Sequence, residues 1–219
     1  MLSVTWGFLA LTLATPSRSA QAPRLDGLTP LLGSALRSES GRLLLAGTGF
    51  RVRDPVFRAI APETSGLVAR IVFTYRGPSQ GVAPLASGEL RRQIGLKLKA
   101  RNTCNVVYVM WRIAPSAGIH VQVKSNPGRR THEECRDLGY RTVVATWRRD
   151  APVLEAGQRR VLTAEIEANV LRVAVDDVPV WEGALPDSVL ASDGPVGVRS
   201  DNGDFDVELW ATRRGARGE

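Results

Sequence analysis

Leu162-Thr-Ala-Glu-Ile-Glu-Ala-Asn-Val-Leu-Arg-Val-Ala-Val-Asp-Asp-Val-Pro-Val-Trp-Glu-Gly183 and, shortly after it, Asp193-Gly-Pro-Val-Gly-Val-Arg-Ser-Asp-Asn-Gly-Asp-Phe-Asp-Val-Glu-Leu-Trp210 decide the fold class. Apolar and polar residues alternate at every second position, the period of a strand with one face buried. Ala168-Asn169, Asp176-Asp177 and Asp201-Asn-Gly-Asp204 punctuate the runs with turn residues, the last as a hairpin turn.

The same period extends upstream. Strands are expected at Arg42–Ala46, Val52–Ile60, Leu67–Tyr75, Ile94–Lys99, Cys104–Ile113, Ile119–Lys124 and Tyr140–Trp147, with one helical turn within Leu185–Ser192. Cys104–Ile113 is nearly all apolar, as in a central strand covered on both faces. Arg76–Glu89 and Ser125–Leu138 are long polar loops. Many short strands without a three-turn helix specify an all-β sandwich of two antiparallel sheets. At 219 residues the chain is long enough to bury a core without a metal. The expected organisation is a signal peptide at 1–22, a lead-in tail at 23–40, one sandwich domain at 41–213 and a C-terminal tail at 214–219.

The leader rests on an apolar Val4–Leu13 and an Ala20-Gln21-Ala22 cleavage site, although no Lys or Arg precedes the apolar run. That run is too short to span a membrane. The expected location is therefore secreted, periplasmic or at the cell envelope. Cys104 and Cys135 suit such a compartment as a disulfide; the competing reading is a zinc site of Cys104, His132 and Cys135, which lacks a fourth ligand.

The formal charge is +7, carried by arginines scattered along the chain. Nucleic-acid recognition would rest on charge alone, with no recognised module. All three lysines, Lys97, Lys99 and Lys124, fall in three successive predicted strands. There they share a phase with Tyr108, Arg112, His120 and Gln122, so one sheet face would carry seven ligand-capable side chains and no carboxylate. Such a patch suits an anionic or hydroxyl-rich glycan.

The pattern of Leu171-Arg-Val-Ala-Val-Asp-Asp177 with Val180-Trp181, then Gly194-Pro-Val-Gly-Val-Arg-Ser-Asp201 and Phe205-Asp-Val-Glu-Leu209, resembles the concanavalin A-like lectin/glucanase superfamily. The resemblance implies a jelly roll whose last strand pairs with the first. It leaves activity open among lectins, hydrolases, lyases and adhesion modules. The leading expectation is a non-catalytic module for a carbohydrate, an acidic glycan among the expected ligands. The alternatives are a polysaccharide-degrading enzyme and a structural envelope protein.

As a lyase, the chain would use Arg112 and Gln122 as neutralisers, His120 as base and Tyr108 as acid. As a hydrolase it would need paired carboxylates, for which Glu165/Glu167 and Asp204/Asp206/Glu208 have same-face spacing. No cofactor is expected; Asp193, Asp201 and Asp204, with Asn202 and Asp206, are weak calcium candidates that also read as turn residues.

Overall fold

In the computed structural model the described residues are 20–215; the leader expected at 1–22 lies, apart from its last three residues, outside them. Sixteen strands follow in order: β1 (Thr29–Leu31), β2 (Arg37–Ser40), β3 (Leu44–Ala46), β4 (Gly49–Val52), β5 (Val56–Ala61), β6 (Thr64–Pro78), β7 (Arg92–Asn102), β8 (Asn105–Ala114), β9 (Gly118–Lys124), β10 (Tyr140–Thr142), β11 (Trp147–Arg148), β12 (Arg159–Glu167), β13 (Val170–Val175), β14 (Val178–Ala184), β15 (Val196–Asp201) and β16 (Gly203–Arg213). Two single turns of helix, α1 (His132–Cys135) and α2 (Asp187–Leu190), complete them.

The strands form two packed antiparallel sheets. One runs β11-β14-β13-β12-β6-β16-β4-β3, with β1 also on β16. The other runs β10-β9-β8-β7-β15-β5-β2. Their facing sides bury one apolar core that includes Phe50, Phe57, Phe73, Trp111 and Phe205, with Phe73 edge-on to both Trp111 and Phe205. Thr29 pairs with Ala211, so the first described strand lies beside the last.

The structure departs from the strand expectations where the chain changes sheet. Val52–Ile60 is two strands, because Asp54-Pro55 carries the chain from one sheet to the other between β4 and β5. Asp201-Asn-Gly-Asp204 is not a hairpin turn. Asn202 has φ 53° and sends β15 and β16 into opposite sheets. Alternation alone cannot distinguish a hairpin from a sheet change, since both reverse the chain at a turn residue. Residues 23–40, expected as a tail, supply β1 and β2; both are too short to show a period, and β2 is exposed along its whole length. Tyr140–Trp147 resolves into two short strands on different sheets.

The seven-stranded sheet turns its other face outward, and this face is not simply solvated. Ile60, Ala100, Val106, Tyr108 and Met110 form a second buried cluster on it. Two glycines shape it. A Cβ on Gly95 would lie 2.1 Å from the Val109 carbonyl oxygen, and one on Gly197 2.1 Å from that of Ala59. Backbone cannot yield as a side chain can, so Gly95→Ala is expected to destabilise the fold by about 1–3 kcal/mol. Chemical denaturation measures this; an unchanged midpoint would contradict the close approach.

Candidate functional site

The outward face of the seven-stranded sheet carries a groove of about 650 Å³. Cross-strand register builds its floor in rows: Lys97 faces Tyr108, which faces Gln122. One row along, Arg58 faces Arg199, which faces Gly95. The walls are Pro84–Ser87 of the β6–β7 loop on one side and the β9–β10 loop, with His132 and Asp137, on the other. Asn202 fixes the first wall: its side chain accepts from the Ala83 amide and donates to the Ala83 and Arg91 carbonyls.

The second wall is tied down by the Cys104–Cys135 disulfide, with Cα atoms 5.8 Å apart. The cysteines are therefore a bridge and not zinc ligands. Asn126 braces the same loop through the Cys104 and Leu138 carbonyls, and Lys124 donates to the carbonyl of Arg136, next to Cys135. Lys124 also lies 5.0 Å from the ring centre of Tyr140, the residue with which the loop enters β10.

The electrostatic centre is Asp201, with no solvent exposure. It accepts from Arg58 at 2.7 Å, from Arg199 at 2.9 Å and from Gln93 at 2.6 Å. Burial would raise its pKa, but the two guanidiniums and the three hydrogen bonds hold it below the ordinary Asp value of 3.8. Burial likewise opposes charge on Arg199, yet Asp201 and the neighbouring tyrosines hold that guanidinium above its usual range. Arg58 is shifted down, by burial first and then by repulsion from Arg199. Arg199 stacks 4.8 Å from the centre of the Tyr108 ring, and Tyr108 stacks on Tyr140 at 6.2 Å.

The seven residues expected on one face stand on the adjacent strands β7, β8 and β9, and four of them line the groove. Lys97, Tyr108, Gln122 and Lys124 do so. Lys99, at a register irregularity with φ 46°, does not. Arg112 and His120 stand at the far end, outside the lining. Arg112 meets Glu89, which is also held by Arg91. The His120 ring shares a hydrogen bond with the Ser116 carbonyl, and burial lowers its pKa.

The face is not free of carboxylates. Asp201 sits in it, and Glu39 reaches in from the edge strand β2 to pair with Lys97. Lys97 and Lys124 are themselves 2% and 1% exposed, and burial lowers the pKa of both. Sequence reasoning missed Glu39, Arg58, Arg199 and Tyr140. Arg58 and Arg199 were legible as polar positions of alternating strands, whereas Glu39 and Tyr140 sit on strands of three or four residues that show no period.

The remaining candidates lie elsewhere. On the other sheet's outer face, Glu167 pairs with Arg24 and Arg172. Asp204 and Asp206 there pair with Arg51, and Glu208 with Arg159. Asp193 faces Arg214 at 3.7 Å. The calcium candidates Asp193, Asp201 and Asp204 are thus dispersed and each faces an arginine. Among the described residues no three His, Cys, Asp or Glu side chains converge as a metal-binding group.

No protein-family model matches the sequence, and no curated protein matches it. Solved structures do resemble it. One is the carbohydrate binding module CBM66 from Bacillus subtilis, with TM-score 0.55 and 12% identity over 81% of this chain and 92% of that one. A second is a protein of unknown function with a galectin-like fold from Bacillus subtilis, with TM-score 0.56 and 12% identity over 89% and 99%. A third is SCLam, a non-specific endo-β-1,3(4)-glucanase from family GH16, with TM-score 0.51 and 9% identity over 90% and 95%.

The fold is a concanavalin A-like jelly roll. In this jelly roll the described helices include none long and apolar enough to cross a membrane.

Two outcomes follow from the site. Asp201→Asn leaves two buried guanidiniums sharing a neutral amide, a loss of about 3–5 kcal/mol. Because the folded-state pKa of Asp201 is depressed, its stabilisation is full above the unfolded value and is lost as pH falls through the folded one. The gap between wild type and Asp201→Asn in urea melts should therefore close only in strong acid. Separately, Cys104→Ser/Cys135→Ser opens a loop closed by 31 residues and should cost about 3–4 kcal/mol by the chain-entropy relation, measured in the same melts.

Proposed function

We propose that the protein is an exported, non-catalytic carbohydrate-binding module whose concave groove holds a segment of a glycan. The observation that carries this reading is the convergence, on the open face of a jelly-roll sheet, of donors and acceptors set for hydroxyl groups: Gln122, Tyr140, the Lys97–Glu39 pair, Arg58 and Asp137. Amides and carboxylates take hydroxyl protons, while ammonium and guanidinium groups donate to hydroxyl oxygens. Burial pushes the Tyr140 phenol up to about 12, so it remains a donor at working pH. Two of the similar structures carry names that refer to carbohydrate binding or cleavage, which fits a sugar as ligand. The disulfide fits an oxidising compartment, as does the leader motif.

Binding without cleavage is favoured by where the carboxylates stand. Hydrolysis needs two of them about 5–10 Å apart across the scissile bond. Asp201 is sealed by three donors. The Glu39 carboxylate is engaged by Lys97 of β7, and Asp137 stands on the far wall, in the β9–β10 loop. A lyase would require His120 beside the bound sugar, and His120 stands outside the groove lining.

Tyr140→Ala and Gln122→Ala, each on a groove wall or floor, should weaken binding to the best ligand of a glycan array about tenfold, the loss of one or two hydrogen bonds. Titration calorimetry checks the affinity and circular dichroism the retained fold; equal affinity in both variants would refute the groove as the binding site. Incubation with uronate polymers should yield no absorbance from new double bonds.

A further inference from the structure

We infer that Glu39 makes the groove selective for uncharged glycans, a reading that rests on carbohydrate binding at this face. The cations of the floor already have internal partners. Arg58 and Arg199 share Asp201. Arg91 and Arg112 share Glu89. Lys124 is bonded to the Arg136 carbonyl and lies over Tyr140. Lys97 would be the free cation at the centre of the sheet, and Glu39 neutralises it.

Glu39 does this from an unusual position. Its strand β2 is the sheet edge, three strands from Lys97 on β7. The Lys97 side chain is 3% exposed and that of Glu39 19%, so the carboxylate, not the ammonium, meets an incoming ligand. A neutral sugar can donate a hydroxyl proton to Glu39 and leave the ion pair intact. A uronate or sulfate meets a like charge and gains Lys97 only by displacing Glu39, which is exclusion by repulsion and not by shape. Asp137 on the far wall carries the same sign.

The test compares wild type, Glu39→Gln and Lys97→Met by affinity electrophoresis. The probes are a panel of neutral β-glucan, xylan and arabinan, then polygalacturonate and chitosan oligosaccharides. Wild type should bind a neutral polymer with little dependence on salt and bind polygalacturonate at least about tenfold more weakly. Glu39→Gln should gain about tenfold toward polygalacturonate, and the gain should fade as salt rises, because exposed charges are screened. Lys97→Met leaves Glu39 unneutralised and should gain the cationic chitosan oligosaccharides instead.

A wild type that prefers polygalacturonate, with affinity falling as salt rises, would overturn the selectivity role and leave carbohydrate binding standing. So would variants that gain nothing from either charged probe. Binding of no glycan by any of the three proteins would retire both readings. Glu39→Gln leaves the buried Lys97 ammonium facing a neutral amide and is expected to melt below wild type; should it fail to fold, the Lys97→Met arm decides.

Discussion

A single carboxylate, Asp201, organises the concave sheet. Isolated charge is costly in a protein interior, and this face buries four cationic side chains within the reach of one groove: Arg58, Lys97, Lys124 and Arg199. Asp201 makes the arginines tolerable by accepting from both at once, and Gln93 completes its coordination. The consequence is positional. Arg199 and Arg58 stand directly opposite each other on β15 and β5, a like-charge cross-strand pair that would be unfavourable alone. With Asp201 two residues along the same strand, on the same face, both heads converge on one point, and the Arg199 plane is delivered onto Tyr108. From Tyr108 the contacts pass to Tyr140 and Lys124, and so to the wall held by the disulfide.

That chain of contacts explains why the groove has fixed walls. Each loop is tied to the floor by polar side chains. Asn202, immediately after Asp201, adopts a left-handed conformation that few residues tolerate, and there its side chain makes three hydrogen bonds to the backbone of the β6–β7 loop. Cys135 and the Arg136 carbonyl bind the other wall to Cys104, in the turn before β8, and to Lys124. A sugar loses affinity when the site must be ordered around it, so a groove built in advance favours binding of a weakly anchored, hydroxyl-rich ligand.

The fold was legible because its strands are long enough to show their period. Leu96, Val109 and Val121 alternate with Lys97, Tyr108 and Gln122 in register, and the phase of β7, β8 and β9 follows from these residues without a structure. Strand order was not legible. Alternation says which side a residue faces and nothing about which strand lies next to it, so Arg58 and Arg199, far apart in the chain, could not be joined to Lys97 and Tyr108. The short edge strands were hidden for a related reason. Three or four residues give no period, and Arg37–Ser40 has no buried side chain to reveal one. The site's key carboxylate, Glu39, lies in that segment.

Counting cations in the sequence therefore overstated the positive field. Lys97 and Lys124 line one groove, but their contribution to ligand choice depends on what neutralises them, and neutralising groups come from elements remote in sequence. A buried ammonium paired with a carboxylate presents a dipole to the groove and not a net charge. The field of a dipole falls off faster with distance than that of a charge, so recognition becomes a matter of hydrogen-bond geometry at contact rather than attraction at range. The groove's cations are thus only partly offset, while other arginines of the chain, such as Arg141 and Arg148, stand exposed elsewhere.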